Sequence, residues 1–187
     1  MAASYYYALV SFILYENWCM RFRKFFTRLC QLPFIIVPLA VFGTLIYSIS
    51  NMIMALMSLW VVVMTLIVTF IMGALIKFIY HKERPQPQHY TNWFNKIDAS
   101  SFPSIHTAYA TVFMCTALIV AYQLIMSHAM LAVIICIVAI AFYVLIATSR
   151  LVLKKHFFID LLFGTILGGV AVLFVFFHID AILALLQ

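Results

Sequence analysis

Charged side chains are scarce. Asp, Glu, Lys and Arg make up 9% of the 187 residues, against 67% hydrophobic ones. A soluble domain of this size cannot keep so much apolar surface from water, so that class is excluded. Acidic residues are the rarer sign, 5 Asp and Glu against 11 Lys and Arg, for a formal net charge of +6. With no soluble region to carry a nucleic-acid site, the basic excess points to anionic lipid headgroups or a phosphorylated substrate. The four cysteines, Cys19, Cys30, Cys115 and Cys136, show no CxxC spacing, and Cys115 and Cys136 lie inside apolar runs as small core residues. No basic stretch precedes the first apolar run, and its arginines follow it, which argues against a cleaved secretory signal. There is no internal repeat and no low-complexity segment.

What is present is a series of long apolar runs, at 32–50, 52–79, 105–126, 129–149 and 157–178. Each is near the ~20 residues that cross the hydrocarbon core as a helix. The expected fold class is therefore all-α, a polytopic membrane helix bundle with five long spans. Residues 5–15 are apolar but short, and Glu16, Arg21, Arg23, Lys24 and Arg28 follow. This segment reads as an N-terminal interfacial helix or, alternatively, as a sixth short span. The expected division is an interfacial segment over 1–31 and a transmembrane catalytic domain over 32–187.

Short turns near residues 51 and 128 make two antiparallel hairpins. The one substantial loop, 80–104, then falls on the same side as the segment 150–156. All 11 Lys and Arg gather on that face, as a single anion-attracting mouth.

Three patches on that face carry polar chemistry. In KFIYHKERP, Lys77 and Arg84 are seven residues apart, two turns of a helix that Pro85 would end. In SFPSIH, Ser104 can cap a helix opening at Ile105, with His106 in its first turn; free amides at a helix start also bind phosphate oxygens. In SRLVLKKHFFID, Arg150 precedes His156 and Asp160. If a helix begins at Lys155, His156 and Asp160 stand at i and i+4, where a carboxylate can orient an imidazole. Each patch alone also reads as an ordinary helix terminus or juxtamembrane basic loop. Together they supply two histidines, one carboxylate, the cations Lys77, Arg84 and Arg150 and a helix N-terminus, an inventory that suits phosphoryl transfer with no metal and no other cofactor.

Kx6RP at Lys77–Arg84–Pro85, PSxH at Pro103–Ser104–His106 and SRx5Hx3D at Ser149–Arg150–His156–Asp160 resemble the three signatures of the type-2 phosphatidic acid phosphatase (PAP2) superfamily, in the family's order and spacing. The resemblance implies a metal-independent lipid phosphatase working through a phosphohistidine. It implies that His156 is the nucleophile, Asp160 its orienting partner and His106 the general acid. Lys77, Arg84, Ser104 and Arg150 would bind the phosphoryl group, helped by backbone N–H groups near Ile105. Two departures stand out. Ile105 occupies a position where the family usually has glycine, which lets the backbone approach the phosphate closely. HFFID lacks a proline often found between the histidine and the aspartate, which favours a continuous helix from His156.

Small bacterial members resembling this chain act on undecaprenyl pyrophosphate, phosphatidylglycerophosphate or lipid A phosphates. A mouth with only phosphate-binding groups favours the polyprenyl pyrophosphate, with phosphatidylglycerophosphate, phosphatidate or lipid A as alternatives. A lipid-phosphate-binding or transporting protein is the non-enzymatic alternative. The partners expected are that lipid phosphate and the surrounding membrane lipids, with no nucleic acid. The family implies a cell (inner) membrane location with the site on the extracytoplasmic face, whereas the positive-inside bias would put the basic face in the cytoplasm.

Overall fold

The computed structural model describes residues 52–86, 92, 97 and 99–178. The expected interfacial helix, the 1–31 segment and the first apolar run, 32–50, lie outside the described residues. Within them the regular structure is all helix: α1 (Met52–Ile79), α2 (Ile105–Leu124), α3 (Ala129–Val152) and α4 (Phe158–Phe177). All four are long and apolar enough to cross a membrane. The chain is a multi-pass membrane protein. The bounds follow the expected runs closely, except that α3 continues past Ser149 to Val152 and carries Arg150 in its last turn.

Helix α2 is central. It packs against α3 and α4, and α1 packs against α2 and α4. The outer faces of α3 and α4 expose Ile, Val, Leu and Phe side chains, as lipid-facing helices must. Threonines within the spans bond to carbonyls of their own helix. Thr69 donates to the Thr65 carbonyl at 2.7 Å and Thr111 to the Thr107 carbonyl at 2.9 Å. Between α3 and α4 the Tyr143 and Thr165 hydroxyls share a hydrogen bond at 2.6 Å.

Two glycines bring α2 and α4 together. A Cβ at Gly164 would lie 2.5 Å from the Ser104 carbonyl oxygen, and one at Gly168 would collide with the Ala108 carbonyl oxygen. The four-residue step is the same on both helices, so they run parallel with their backbones in close contact, as small-residue steps allow in membranes. Both helices therefore begin at the same end of the bundle. The expected turn near residue 128 is present: Ser127 and His128 both donate their N–H groups to the Leu124 carbonyl. The segments 80–86, 99–104 and 153–157 meet at the other end.

Candidate active site

The segment 99–104 is the keystone of that end. Ala99, Ser100, Ser101, Pro103 and Ser104 are all buried. Phe102 is held between the Tyr80 ring at 5.5 Å and the Phe163 ring at 4.9 Å, both edge-on. Two successive carbonyls of this segment point at two residues singled out from the sequence. The Ser100 carbonyl accepts from Lys77 Nζ at 2.9 Å, and the Ser101 carbonyl lies 2.6 Å from His156 Nδ1. Neither serine was among the expected site residues. Their contribution is main-chain oxygen, which leaves no mark in residue type.

Lys77 is buried in the last turn of α1, as expected. Arg84 is not on the same helix. Contrary to the two-turn reading, α1 stops at Ile79, and 80–84 is irregular. Its backbone is used by the neighbouring segment instead: Lys82 N–H donates to Ser100 Oγ, the Lys82 carbonyl accepts from Ser101 N–H, and the Glu83 carbonyl accepts from Ser101 Oγ. Arg84 still comes within electrostatic reach of His156.

Ser104 caps α2, as expected. Its hydroxyl accepts from Thr107 N–H at 3.4 Å and shares a hydrogen bond with Thr107 Oγ1 at 2.9 Å. Ile105 presents its side chain to α1, where a Cβ on Gly73 would sit 3.2 Å from Ile105 Cγ1. Lys154 is the one non-glycine residue with positive φ among those described, so Ile105 keeps an ordinary backbone. A glycine on α1 thus makes the room that a branched side chain at 105 requires. His106 follows in the first turn of α2, within electrostatic reach of Arg150, His156, Lys77 and Lys155.

Helix α3 ends in a Schellman arrangement. Lys154 takes φ 52°, its N–H bonds to the Leu151 carbonyl at 2.9 Å, and Lys155 N–H bonds to the Arg150 carbonyl at 3.1 Å. This reversal leaves His156 in the link between helices. The expectation of a helix running from Lys155 is therefore corrected: α4 opens at Phe158. The expected Asp160–His156 pairing is corrected with it. Asp160 Oδ2 accepts from Phe157 N–H at 2.8 Å, Oδ1 pairs with Lys82 Nζ at 2.6 Å, and its main-chain oxygen accepts from Ser104 N–H at 3.0 Å. A carboxylate in the first turn of a helix is favoured there by free amides and by the dipole. Asp160 is fully buried and already saturated, and the imidazole turns to the Ser101 carbonyl.

That choice fixes the chemistry of His156. A carbonyl can only accept, so Nδ1 carries the proton and Nε2 of the neutral ring keeps its lone pair. Burial, then the Arg150 charge, push the imidazole down to about 3; the Ser101 bond opposes them, and Lys77 and Arg84 add to them. The result is a neutral imidazole in a cationic surround. Among the described residues no three His, Cys, Asp or Glu side chains come together as a metal-binding group.

The model of the PAP2 superfamily matches residues 57–181, two thirds of the sequence and all of the elements just described except the first five residues of α1. The chain belongs to the PAP2 superfamily. As a PAP2 protein it is a phosphatase, a hydrolase. Its fold resembles that of a solved structure, the first transmembrane PAP2-type phosphatidylglycerolphosphate phosphatase from Bacillus subtilis. The TM-score is 0.56 at 22% identity, over 85% of this chain and 76% of that one. No curated protein matches the PAP2 chain in sequence.

Proposed function

We propose that this PAP2 protein removes phosphate from a membrane lipid phosphate through a phosphohistidine on His156. The observation that carries the reading is the 2.6 Å bond from Nδ1 to the Ser101 carbonyl, which leaves Nε2 as a base-free nucleophile among Lys77, Arg84 and Arg150. His106 takes up a proton as the anionic phosphate enters and offsets the surrounding cations; in the first step Nε2 attacks phosphorus, the bond from phosphorus to the lipid-side oxygen breaks, and His106 gives that oxygen the proton. In the second step neutral His106 takes a proton from water, the hydroxide displaces Nε2, and inorganic phosphate leaves. The Ser101 carbonyl stabilises the positive ring of the intermediate throughout. Lys77, Arg84 and Arg150 neutralise the nonbridging oxygens. Ser104 and the amides at Ile105 and His106 complete the anion site at the start of α2. Asp160 acts at one remove, by holding the start of α4.

The same groups bear on the substrate. A site built only for phosphate suits a lipid whose head is only phosphate, which favours a polyprenyl pyrophosphate such as undecaprenyl pyrophosphate. The second reading is phosphatidylglycerophosphate, which the named activity of the Bacillus subtilis neighbour supports. The site opens on the extracytoplasmic face of the inner membrane in this proposal. A reporter fused after Gln187, beyond the far end of α4, should then report cytoplasm.

The test is phosphate release in EDTA from a panel of polyprenyl pyrophosphate, phosphatidylglycerophosphate, phosphatidate and phosphorylated lipid A. His156→Ala should abolish release. His106→Ala should slow it strongly, and least for good leaving groups. Retained turnover in His156→Ala would refute the assigned nucleophile.

A further inference from the structure

Lys82 lies inside KFIYHKERP, between Lys77 and Arg84, but the mechanism gives it no role, and as a loop lysine it resembles a simple headgroup contact. Its surroundings are different from that. The side chain is 26% exposed, and Nζ lies 2.6 Å from Oδ1 of a carboxylate that is 0% exposed. The same ammonium stands 4.6 Å from the centre of the Phe157 ring and 5.9 Å from that of Phe102. Its charge is directed inward, onto the carboxylate and the two rings.

The groups it grips are those that border His156. Asp160 holds Phe157 N–H, the amide next to His156, through Oδ2, and holds Ser104 N–H through its main-chain oxygen. Phe102 follows Ser101, whose carbonyl fixes the His156 ring. The Lys82 backbone binds the same segment, donating to Ser100 Oγ and accepting from Ser101 N–H. One residue thus ties the carbonyl that orients the imidazole to the helix start that anchors it.

We propose that Lys82 is a positioning residue for the phosphatase reaction, its ammonium holding Asp160, Phe157 and Phe102 so that His156 keeps its Nδ1–H tautomer on the Ser101 carbonyl. Without the ammonium, Asp160 is a buried carboxylate lacking its counter-charge. Its oxygens must then turn toward other donors, and that change loosens the Phe157 amide beside His156. The role rests on the phosphatase reading of His156, but the linkage from Lys82 to the imidazole does not depend on turnover.

The experiment uses the full-length protein in detergent, with Lys82→Ala, Lys82→Met, Lys82→Arg and Asp160→Asn made singly and Lys82→Ala combined with Asp160→Asn. Misplacing a nucleophile by a fraction of an ångström costs rate rather than binding, so Lys82→Ala and Lys82→Met should lower kcat roughly 10- to 100-fold with KM nearly unchanged. Lys82→Arg should recover most of the loss. The double variant should be no worse than Asp160→Asn alone, since both changes remove one interaction. A Lys82→Ala protein with raised KM and full kcat would make Lys82 a substrate ligand and overturn the proposal, as would losses that multiply in the double variant. The second measurement is the nitrogen spectrum of isotope-labelled His156, which reads the tautomer without substrate. It should show Nδ1–H in the wild type and Lys82→Arg, and a mixed or altered ring in Lys82→Ala. An unchanged ring in Lys82→Ala sinks the proposal. A wild type that hydrolyses nothing in the panel, with the tautomer change still present, sinks the phosphatase reading and leaves the linkage standing.

Discussion

His156 Nδ1 lies 2.6 Å from the carbonyl oxygen of Ser101, 55 residues earlier in the chain. The bond joins the link before α4 to the segment before α2. It decides which nitrogen of the ring can act.

The first prediction concerns protonation of that ring. Burial and then Arg150 lower the His156 value from 6.5 to about 3. The unfolded chain therefore binds a proton between those values that the folded chain refuses. Native stability from this residue is complete above 6.5 and is lost as pH falls toward about 3. A histidine titration followed by NMR on the substrate-free protein should show His156 still neutral near about pH 5, well below the ordinary histidine midpoint. A midpoint in the usual range would show that the ring is neither buried nor surrounded by cations.

The α2–α4 contact predicts a sharp difference between neighbouring glycines. Gly164→Ala drives a methyl into the Ser104 carbonyl, on backbone that cannot yield as a side chain would. It should destabilise the detergent-solubilised protein by about 1–3 kcal/mol and displace the start of α2, lowering phosphate release. Gly169→Ala, with nothing within 4 Å of the added carbon, should leave both unchanged. Equal tolerance in thermal melts would mean that the two helices do not touch at Gly164.

Gly73 and Ile105 should behave as a size-matched pair. Gly73→Val pushes into Ile105 Cγ1, already 3.2 Å from where a Cβ would stand. The expected cost is about 1–3 kcal/mol in thermal stability. Adding Ile105→Gly to that background should recover part of it, whereas independent sites would give additive losses.

Lys154 supplies a test of the α3 terminus. Its φ of 52° is the left-handed conformation that an L side chain adopts at a cost and glycine adopts freely. Its side chain is exposed. Lys154→Gly should raise stability by about 0.5–1 kcal/mol in a thermal melt, with phosphate release unchanged. A loss of stability would show that the Schellman turn does not close α3.

Much of the proposed site could be read from residue types, because the chemistry proposed for it demands them. Only a basic side chain can hold a phosphoryl oxygen by charge, and only imidazole is a neutral nitrogen nucleophile, so Lys77, Arg84, Arg150, His106 and His156 stand out against an apolar background. Ser104 was legible as a cap because Pro103 and the apolar run after it mark a helix start. The α1 terminus and the beginning of α4 were misjudged for a common reason. Local spacing favoured continuous helix through Arg84 and from Lys155, but hydrogen bonds from residues far along the chain gave the backbone better partners. The Ser100 and Ser101 hydroxyls and the Ser101 N–H bond the backbone of Lys82 and Glu83 away from α1, and Asp160 caps the Phe157 N–H.

The sequence by itself determined that this protein crosses the membrane several times, that Lys77, Arg84 and Arg150 come to one end of the bundle, and that two histidines stand among them. These depend on hydropathy, on chain order and on side-chain type, all of which are local. Only the tertiary structure decided that Ser101 orients His156, that Asp160 belongs to Lys82 and Phe157, and that Gly73 makes room for Ile105. Those outcomes turn on main-chain oxygens and on the space between helices, which no residue name records until the segments meet.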